Sequence, residues 1–428
     1  MKIRKCDIAV IGSGPGGLAA AIAAKENGAK NVLLIERDRE PGGILLQCIH
    51  NGFGVEVFKK DLPGPAYAQH FINEAQTASI DFMLDTMVLE ITKDKRIFVS
   101  NKNEGMLEIQ AKAVILAMGC RERTRAQIRI PGSRPAGVYT AGTAQRWVNM
   151  EGFMPGKKFV ILGSGDIGMI MARRLTFEGA KVERVLEIMP YLSGLMRNYV
   201  QCLQDFDIPL KMQHTVKRII GNDRVEAVET VAVDDHWQEV PGSEETIECD
   251  TLLLSVGLIP ENELSRQVDI TLDPLTSGPI VDNYFQTSTP GFFAAGNVVH
   301  VYDLVDWVTG AGLRAGKSAA RYANGEISSN RKTITLQHGK NVHHVVPHTL
   351  DVETLRTQNE QVQMRVTKPL EQPVRVQVLD GDEVIASRSL PYARPGEMVT
   401  IDLKQKHLEA LQKAEQLTIQ VVERESKA

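Results

Sequence analysis

The chain has 428 residues, of which 43% are hydrophobic and 24% charged, a composition that excludes a disordered or fibrous protein and suits two or three folded domains. Its formal charge is −4, from 49 basic and 53 acidic residues spread along its length, which excludes a basic stripe for nucleic acid and an acidic tail. Five scattered cysteines, Cys6, Cys48, Cys120, Cys202 and Cys249, contain no C-x-x-C, so neither a disulfide framework nor a zinc site is expected, no other metal is, and the expected compartment is the reducing cytoplasm.

Lys2, Arg4 and Lys5 precede an apolar run, as in a secretory leader. Glycine breaks that run after Ile11, too soon for a leader and far short of a membrane span, so no transmembrane segment is expected. Residues 6–11 instead read as a strand. Gly12, Ser13, Gly14, Pro15, Gly16 and Gly17 follow as G-x-G-x-x-G, and an alanine-rich helix covers 18–25. Gly12 permits the tight turn, Gly14 lets backbone approach a pyrophosphate at the helix N-terminus, and Gly17 lets the helix pack on the strand. A second strand, 31–35, ends in Glu36, 24 residues after Gly12, where a carboxylate can accept from the ribose hydroxyls of an adenosine; Arg37 follows it.

The unit recurs. A strand at 159–162 leads into Gly163, Ser164, Gly165, Asp166, Ile167 and Gly168, and a strand at 181–186 ends in Glu187, again 24 residues after the first glycine. Two dinucleotide folds in one chain point to two nucleotides and to hydride transfer between nicotinamide and flavin. The alternative is a second fold that has kept its shape and binds a non-redox adenine nucleotide, or nothing.

With these two units the sequence resembles the flavoproteins with two dinucleotide-binding domains, the superfamily of thioredoxin reductase, NADH oxidases and disulfide reductases. Residues 113–119, ending Ala117-Met118-Gly119, resemble the segment that closes the first half of the FAD domain. Residues 250–257, ending Val256-Gly257, resemble its counterpart in the NADH domain, and 287–297, ending Gly296-Asn297, the late FAD motif. The resemblance implies an α/β fold with an NADH domain inserted into an FAD domain, and FAD and NAD(H) as cofactors.

Three further stretches, 42–54 with Gly42-Gly43-Ile44 and Gln47-Cys48-Ile49-His50, 119–125, and 296–307, are similar to the FAD/NAD subunits encoded beside anaerobic glycerol-3-phosphate dehydrogenase-like proteins. That group is similar in turn to subunits of hydrogen cyanide synthase, opine oxidase and dye-linked proline dehydrogenase. The resemblance implies a partner subunit in a dehydrogenase complex, is compatible with a homo-oligomer, and leaves substrate, acceptor and direction of electron flow open. It places Gly42, Gly43, Ile44, Gln47, Ala117, Met118, Gly119, Gly296 and Asn297 along the FAD. It also sets the start of a helix at 304–322, with Asp306, Trp307 and Val308, at the pyrimidine end of the flavin, where its dipole favours the reduced state. Val256 and Gly257 fall at the NAD site. Cys48, His50 and His300 are the candidate catalytic groups beside the flavin, each weighed against a plain packing or hydrogen-bonding role.

The departures narrow the chemistry. No cysteine pair has redox spacing, so a dithiol relay is not expected. Ile170 stands where the superfamily carries a glutamate, and Asn297 where it carries aspartate. Arg121, Arg123 and Arg125 read as a solvated hinge or a phosphate clamp.

The expected organisation is an FAD domain at 1–125 and 263–325, an NADH domain at 126–262, and a small antiparallel β domain at 331–428 suited to docking a partner. A helix is expected at 71–78, with strands at 82–91, 107–110, 361–366, 374–379, 383–388 and 398–403. Two functions follow: an NADH:flavin oxidoreductase passing electrons to or from a partner or acceptor, and a non-catalytic or electron-relay subunit of a glycerol-3-phosphate, amino-acid or opine-type dehydrogenase.

Overall fold

Strands buried on both faces need unbroken apolar runs rather than alternation, and both nucleotide folds are built on such runs. The computed structural model describes residues 1–327 and 331–424. The chain divides into two compact units, one of Met1–Leu46, Asn51–Cys120 and Pro260–Ala428, the other of Gln47–His50 and Arg121–Ile259.

In the first unit the strand Lys2–Ile11 is central, flanked in parallel by Val32–Ile35 and Gly105–Leu116. Asp81–Met83 extends the sheet beyond Val32–Ile35, and Phe292–Ala294 pairs in parallel with Gly105–Leu116. An antiparallel ribbon, Thr86–Ile91 and Arg96–Asn101, hangs on the first half of that long strand. The expected strand at 107–110 is thus continuous with 113–116, because one half pairs with the ribbon while the whole pairs with Lys2–Ile11. The helix expected at 71–78 starts earlier, at Gly64–Thr77, with Pro65 in the first turn, where a missing N–H costs nothing.

The helix Pro15–Glu26 is buried from Gly16 to Ala24, so it needs small side chains on every face. It crosses Val305–Ala323 at backbone contact. A Cβ at Gly316 would stand 2.0 Å from the Ala20 carbonyl oxygen, and one at Gly312 would stand 2.3 Å from that of Gly16. This contact presses the late helix onto the glycine loop.

The second unit repeats the plan. Five parallel strands run in the order Val138–Thr140, Thr251–Leu254, Lys158–Leu162, Lys181–Glu187, Leu210–Met212. A three-stranded antiparallel sheet, His214–Ile220, Ala227–Ala232 and Glu245–Glu248, covers one face, and the helix Asp166–Phe177 lies in the core of the other.

The C-terminal segment forms two sheets around one core: Thr349–Leu350, Ile334–His338, Gln416–Glu423, Val374–Asp380 and Glu383–Leu390 against Val342–Val346, Glu360–Val366 and Val399–Leu403. All pairs are antiparallel but one. Ile334–His338 runs parallel to Gln416–Glu423, since the first and last strands meet and the rest of the domain serves as the long connection that a parallel pair needs. This domain is fastened to the rest of the first unit by Arg314–Glu360 at 2.7 Å, Arg331–Asp282 at 2.5 Å, and Arg365, which donates to the Val301 carbonyl at 3.0 Å. No helix among the described residues is long and apolar enough to cross a membrane.

The crossing of the two helices yields a test. Gly316→Ala must push the helices apart and should cost about 1–3 kcal/mol. The loss would read as a lower urea midpoint at unchanged slope.

Candidate functional site

Each nucleotide fold carries the same lock. The Glu36 carboxylate, 7% exposed, accepts from Ser13 N at 2.8 Å and Ser13 Oγ at 2.6 Å, while its other oxygen accepts from Asp38 N at 2.9 Å. The Glu187 carboxylate, 3% exposed, accepts from Ser164 N at 2.9 Å, Ser164 Oγ at 2.5 Å and Met189 N at 2.9 Å. Each serine lies 23 residues before its glutamate, and each hydroxyl also receives a backbone N–H 29 residues on, from Gly42 and from Ser193. Bonds to a carboxylate are among the stronger ones. They tie the end of the second strand to the glycine loop, which fixes the acid beside that loop.

The first cradle has room where a diphosphate needs it. Gly12 has φ +102°, and a Cβ there would meet the Ala117 oxygen at 2.4 Å; one at Gly17 would meet the Gly12 oxygen at 1.8 Å. Gly14, by contrast, has nothing within 4 Å of a Cβ position, and as N-cap of Pro15–Glu26 it leaves the first N–H groups of the helix without a side-chain cap. Open backbone at a helix N-terminus is an anion site.

The flavin-side residues close round this loop. Gly43, φ +58°, brings its Cβ direction within 2.9 Å of Gly14 Cα. Val308 Cγ1 lies 3.0 Å from the Cβ position of Gly296 and 3.3 Å from that of Gly16, so the start of the late helix rests on both glycine turns. Asn297 Oδ1 accepts from Tyr302 N at 3.1 Å, and its Nδ2 donates to Cys120 Sγ at 3.6 Å. Asp306 is drawn into the scaffold, accepting from Val57 N at 3.2 Å. Ala117 N donates to Ile11 and Gly119 O accepts from Glu261 N. Ile44 and Arg37 are exposed, Met118 and Trp307 half-buried.

The second cradle is tighter. A Cβ at Gly165 would meet Ser255 Oγ at 3.2 Å, and that hydroxyl already accepts from Gly168 N at 3.1 Å. Asp166 places a carboxylate in the first turn of its helix, held there by Leu195 N at 2.8 Å and Asn198 Nδ2 at 2.7 Å. Val256 lines this end, and Gly257 O accepts from Arg123 N. Ser193 and Asn198 escaped the sequence reading because each acts through a hydroxyl or amide outside any motif, and Ser255, though inside the 250–257 segment, because its hydroxyl turns to the distant Gly168.

Gln47, Cys48 and His50 fall in the second unit. The Gln47 amide donates to Gly142 O at 2.9 Å and Gln145 Oε1 at 3.0 Å, so its N–H groups are engaged by protein. Cys48 donates to Gln145 Oε1 at 3.7 Å, and burial pushes its thiol up to about 12. His50 lines a pocket of about 160 Å³ with Ile49, Asn149, Ile170, Arg173, Arg174 and Phe177; burial, then Arg173 and Arg197, bring its imidazole down to about 4. His300, in the first unit, is buried and held well below the ordinary histidine range by burial, then by His344, Arg365 and His348. Arg125 donates to Ile130, Gly132 and Ser133 carbonyls, fastening a loop. No metal-holding cluster exists among the described residues.

Residues 6–312 match the family described as pyridine nucleotide-disulphide oxidoreductase. The chain belongs to that family. FAD and NAD(P) are the cofactors of the family, which agrees with the open first cradle and its adenosine-side carboxylate. Among curated proteins the chain is 24% identical to an opine oxidase subunit of Agrobacterium tumefaciens over 77% of this chain and 67% of that one. It is 24% identical to the HcnB subunit of hydrogen cyanide synthase from Pseudomonas protegens, over 72% and 67%. It is 28% identical to the glutamate synthase [NADPH] small chain of Escherichia coli, over 72% and 66%. Among solved structures it superposes on T. acidophilum thioredoxin reductase with a TM-score of 0.62 at 25% identity, covering 75% of this chain and 99% of that one. P. horikoshii L-proline dehydrogenase shares the fold, with a TM-score of 0.52 at 22% identity over 76% and 57%.

A thiol at about 12 holds almost no thiolate at pH 8. In the folded protein Cys48 should therefore react with iodoacetamide at pH 8 roughly 1000-fold more slowly than a free cysteine. Peptide mapping of a timed labelling, with half-buried Cys120 reacting first, checks this.

Proposed function

We propose that this chain is an FAD-dependent oxidoreductase that passes hydride between NAD(H) and FAD and relays the electrons to or from a partner redox subunit or acceptor. The twice-built serine–glutamate lock on a glycine cradle carries this reading, because it prepares two adenosine diphosphate sites in one chain. Flavin supplies the two-electron chemistry when bound.

The residues of the chain divide the work. Glu36 would accept from the adenosine ribose, while Gly14 and the first turn of Pro15–Glu26 would hold the diphosphate. Gly43, Gly296 and Asn297 would lie along the ribityl chain, and the N-terminus of Val305–Ala323 would favour negative charge on the reduced ring. In the second fold Glu187 would take the ribose of NAD(H), with Gly165 and Gly168 at its diphosphate. Hydride transfer requires alignment at about 3–3.5 Å and no acid or base, so the neutral state of Cys48 and His50 in the second unit and of His300 in the first does not stand against it. Three of the relatives are by name subunits or a small chain of larger enzymes, which supports a protein partner here.

A second reading, an electron-relay or assembly subunit whose second nucleotide is structural, is favoured by one feature. Asp166 sets a negative charge at the mouth of the helix that should receive the second diphosphate, and Ser255 occupies the Gly168 N–H.

Anaerobic titration separates the two. Released flavin should be FAD rather than FMN, and NADH should bleach it with two electrons per FAD, since no cysteine pair has redox-motif spacing to take more. NADH should outpace NADPH at least tenfold, because a 2′-phosphate would lie against Glu187. A flavin that NADH leaves oxidised while a chemical reductant bleaches it would establish the relay subunit instead.

A further inference from the structure

Where the C-terminal domain covers the loop that follows Asn297, it buries an unusual set of polar side chains. His300 is 1% exposed, Tyr302 and His344 both 7%, and Gln363 9%. Both ring nitrogens of His300, the Tyr302 hydroxyl, His344 Nε2 and Gln363 Oε1 lack a well-aligned hydrogen-bond partner among the described residues. Of these groups, the Gln363 side chain and the His300 ring face each other closely enough to interact. Four rings also stand in file. His343 is exposed, and its Nδ1 lies 3.0 Å from Nδ1 of buried His344. The His344 ring meets His300 edge to face at 5.5 Å between centroids, and His300 lies 4.1 Å from Tyr302. Tyr302 N in turn donates to Asn297 Oδ1.

We propose that His343, His344 and His300 form a proton relay leading from solvent, through the C-terminal domain, to the Gly296–Asn297 loop at the flavin site. This rests on the FAD reading above. Two-electron oxidation of a reduced flavin releases one proton with the electron pair; the electrons go to the acceptor, and the proton needs a route to water. Each imidazole takes a proton on one nitrogen and gives one up from the other, after which its ring turns to reset the tautomer; the hop from His344 to His300, which no hydrogen bond joins at rest, needs the same ring motion to bring two nitrogens together.

The surroundings favour passage over storage. Burial, then His343 and Arg365, bring His344 down to about 3, which leaves it protonated about once in ten thousand at pH 7. Side-chain motion on the ps–ns scale still gives such a state time to form well within turnovers of roughly 1–1000 per second. The charged neighbours are engaged elsewhere. Arg365 donates to the Val301 and Pro395 carbonyls and pairs with Asp303 at 3.5 Å; Asp273 faces His348 at 3.6 Å. Gln363 is the neutral amide beside His300.

The test uses the full-length FAD-loaded protein with ring-15N histidine. In the wild type the His300 ring N–H should exchange with water fast for so buried a group. His344→Gly should slow that exchange tenfold or more, and imidazole, but not 1-methylimidazole, should restore it. The same variant should bind FAD normally and be reduced by NADH at the wild-type rate. Its reduced flavin should be oxidised by ferricyanide several-fold more slowly, with a changed solvent deuterium effect. Should His344→Gly fail to fold, His344→Phe fills the volume without a proton site and takes its place in the exchange test. Wild-type exchange in either variant, or equal rescue by both imidazoles, overturns the relay. Failure to bind FAD would sink the proposed function, while ring exchange, which needs no cofactor, still decides whether the path exists.

Discussion

A buried carboxylate must be given donors, and two places where this chain buries a glutamate at the carboxyl end of a parallel strand determine most of what its two nucleotide folds build. Glu36 and Glu187 each draw a serine N–H and hydroxyl from the preceding glycine loop. The loop is thereby pinned to the strand that follows it in the sheet, with its first glycine, Gly12 or Gly163, in a positive-φ turn that glycine adopts freely. The same hydroxyls reach the next turn, at Gly42 and Ser193, so one small side chain organises three segments. In the first fold the helix contact at Gly312 and Gly316 adds a fourth segment by bringing Val308 onto Gly16 and Gly296.

The two locks are alike, but the cradles are not. The first leaves Gly14 open and its helix mouth uncapped, whereas the second sets Ser255 against Gly165 and Gly168 and puts Asp166 in the first helical turn. A carboxylate at a helix N-terminus takes up part of the field that would otherwise hold a diphosphate. The two cradles therefore offer a diphosphate different surroundings, open backbone N–H groups in the first and a carboxylate beside an occupied N–H in the second.

What the sequence made legible was whatever depends on local pattern. Strand, glycines, helix and acid could be read in order because each has a periodicity or a fixed spacing, and the C-terminal strands near 361–366, 374–379 and 383–388 alternate clearly enough to be placed within a few residues. What escaped depends on partners distant in sequence. Nothing near Gln47 announces that its amide turns to Gly142 and Gln145, and nothing near Asp306 announces Val57. The parallel pairing of Ile334–His338 with Gln416–Glu423 likewise follows from how the domain closes, which no window of sequence contains.

The C-terminal domain shows how a chain adds chemistry without adding a motif. Its strands Val342–Val346 and Glu360–Val366 contribute His344, Gln363 and Arg365 to the neighbourhood of His300, and none of these lies in a recognisable pattern. Arg365 grips the backbone at Val301 and the carboxylate of Asp303, so the domain holds the loop between Asn297 and the late helix from outside, much as the glycine cradle supports it from within. Because that guanidinium is paired and the imidazoles are neutral, the domain adds polarity next to the loop with little added charge. A flavin site gains from this arrangement. An uncompensated buried cation beside a flavin would stabilise its reduced ring and oppose its reoxidation, whereas neutral rings add no such field.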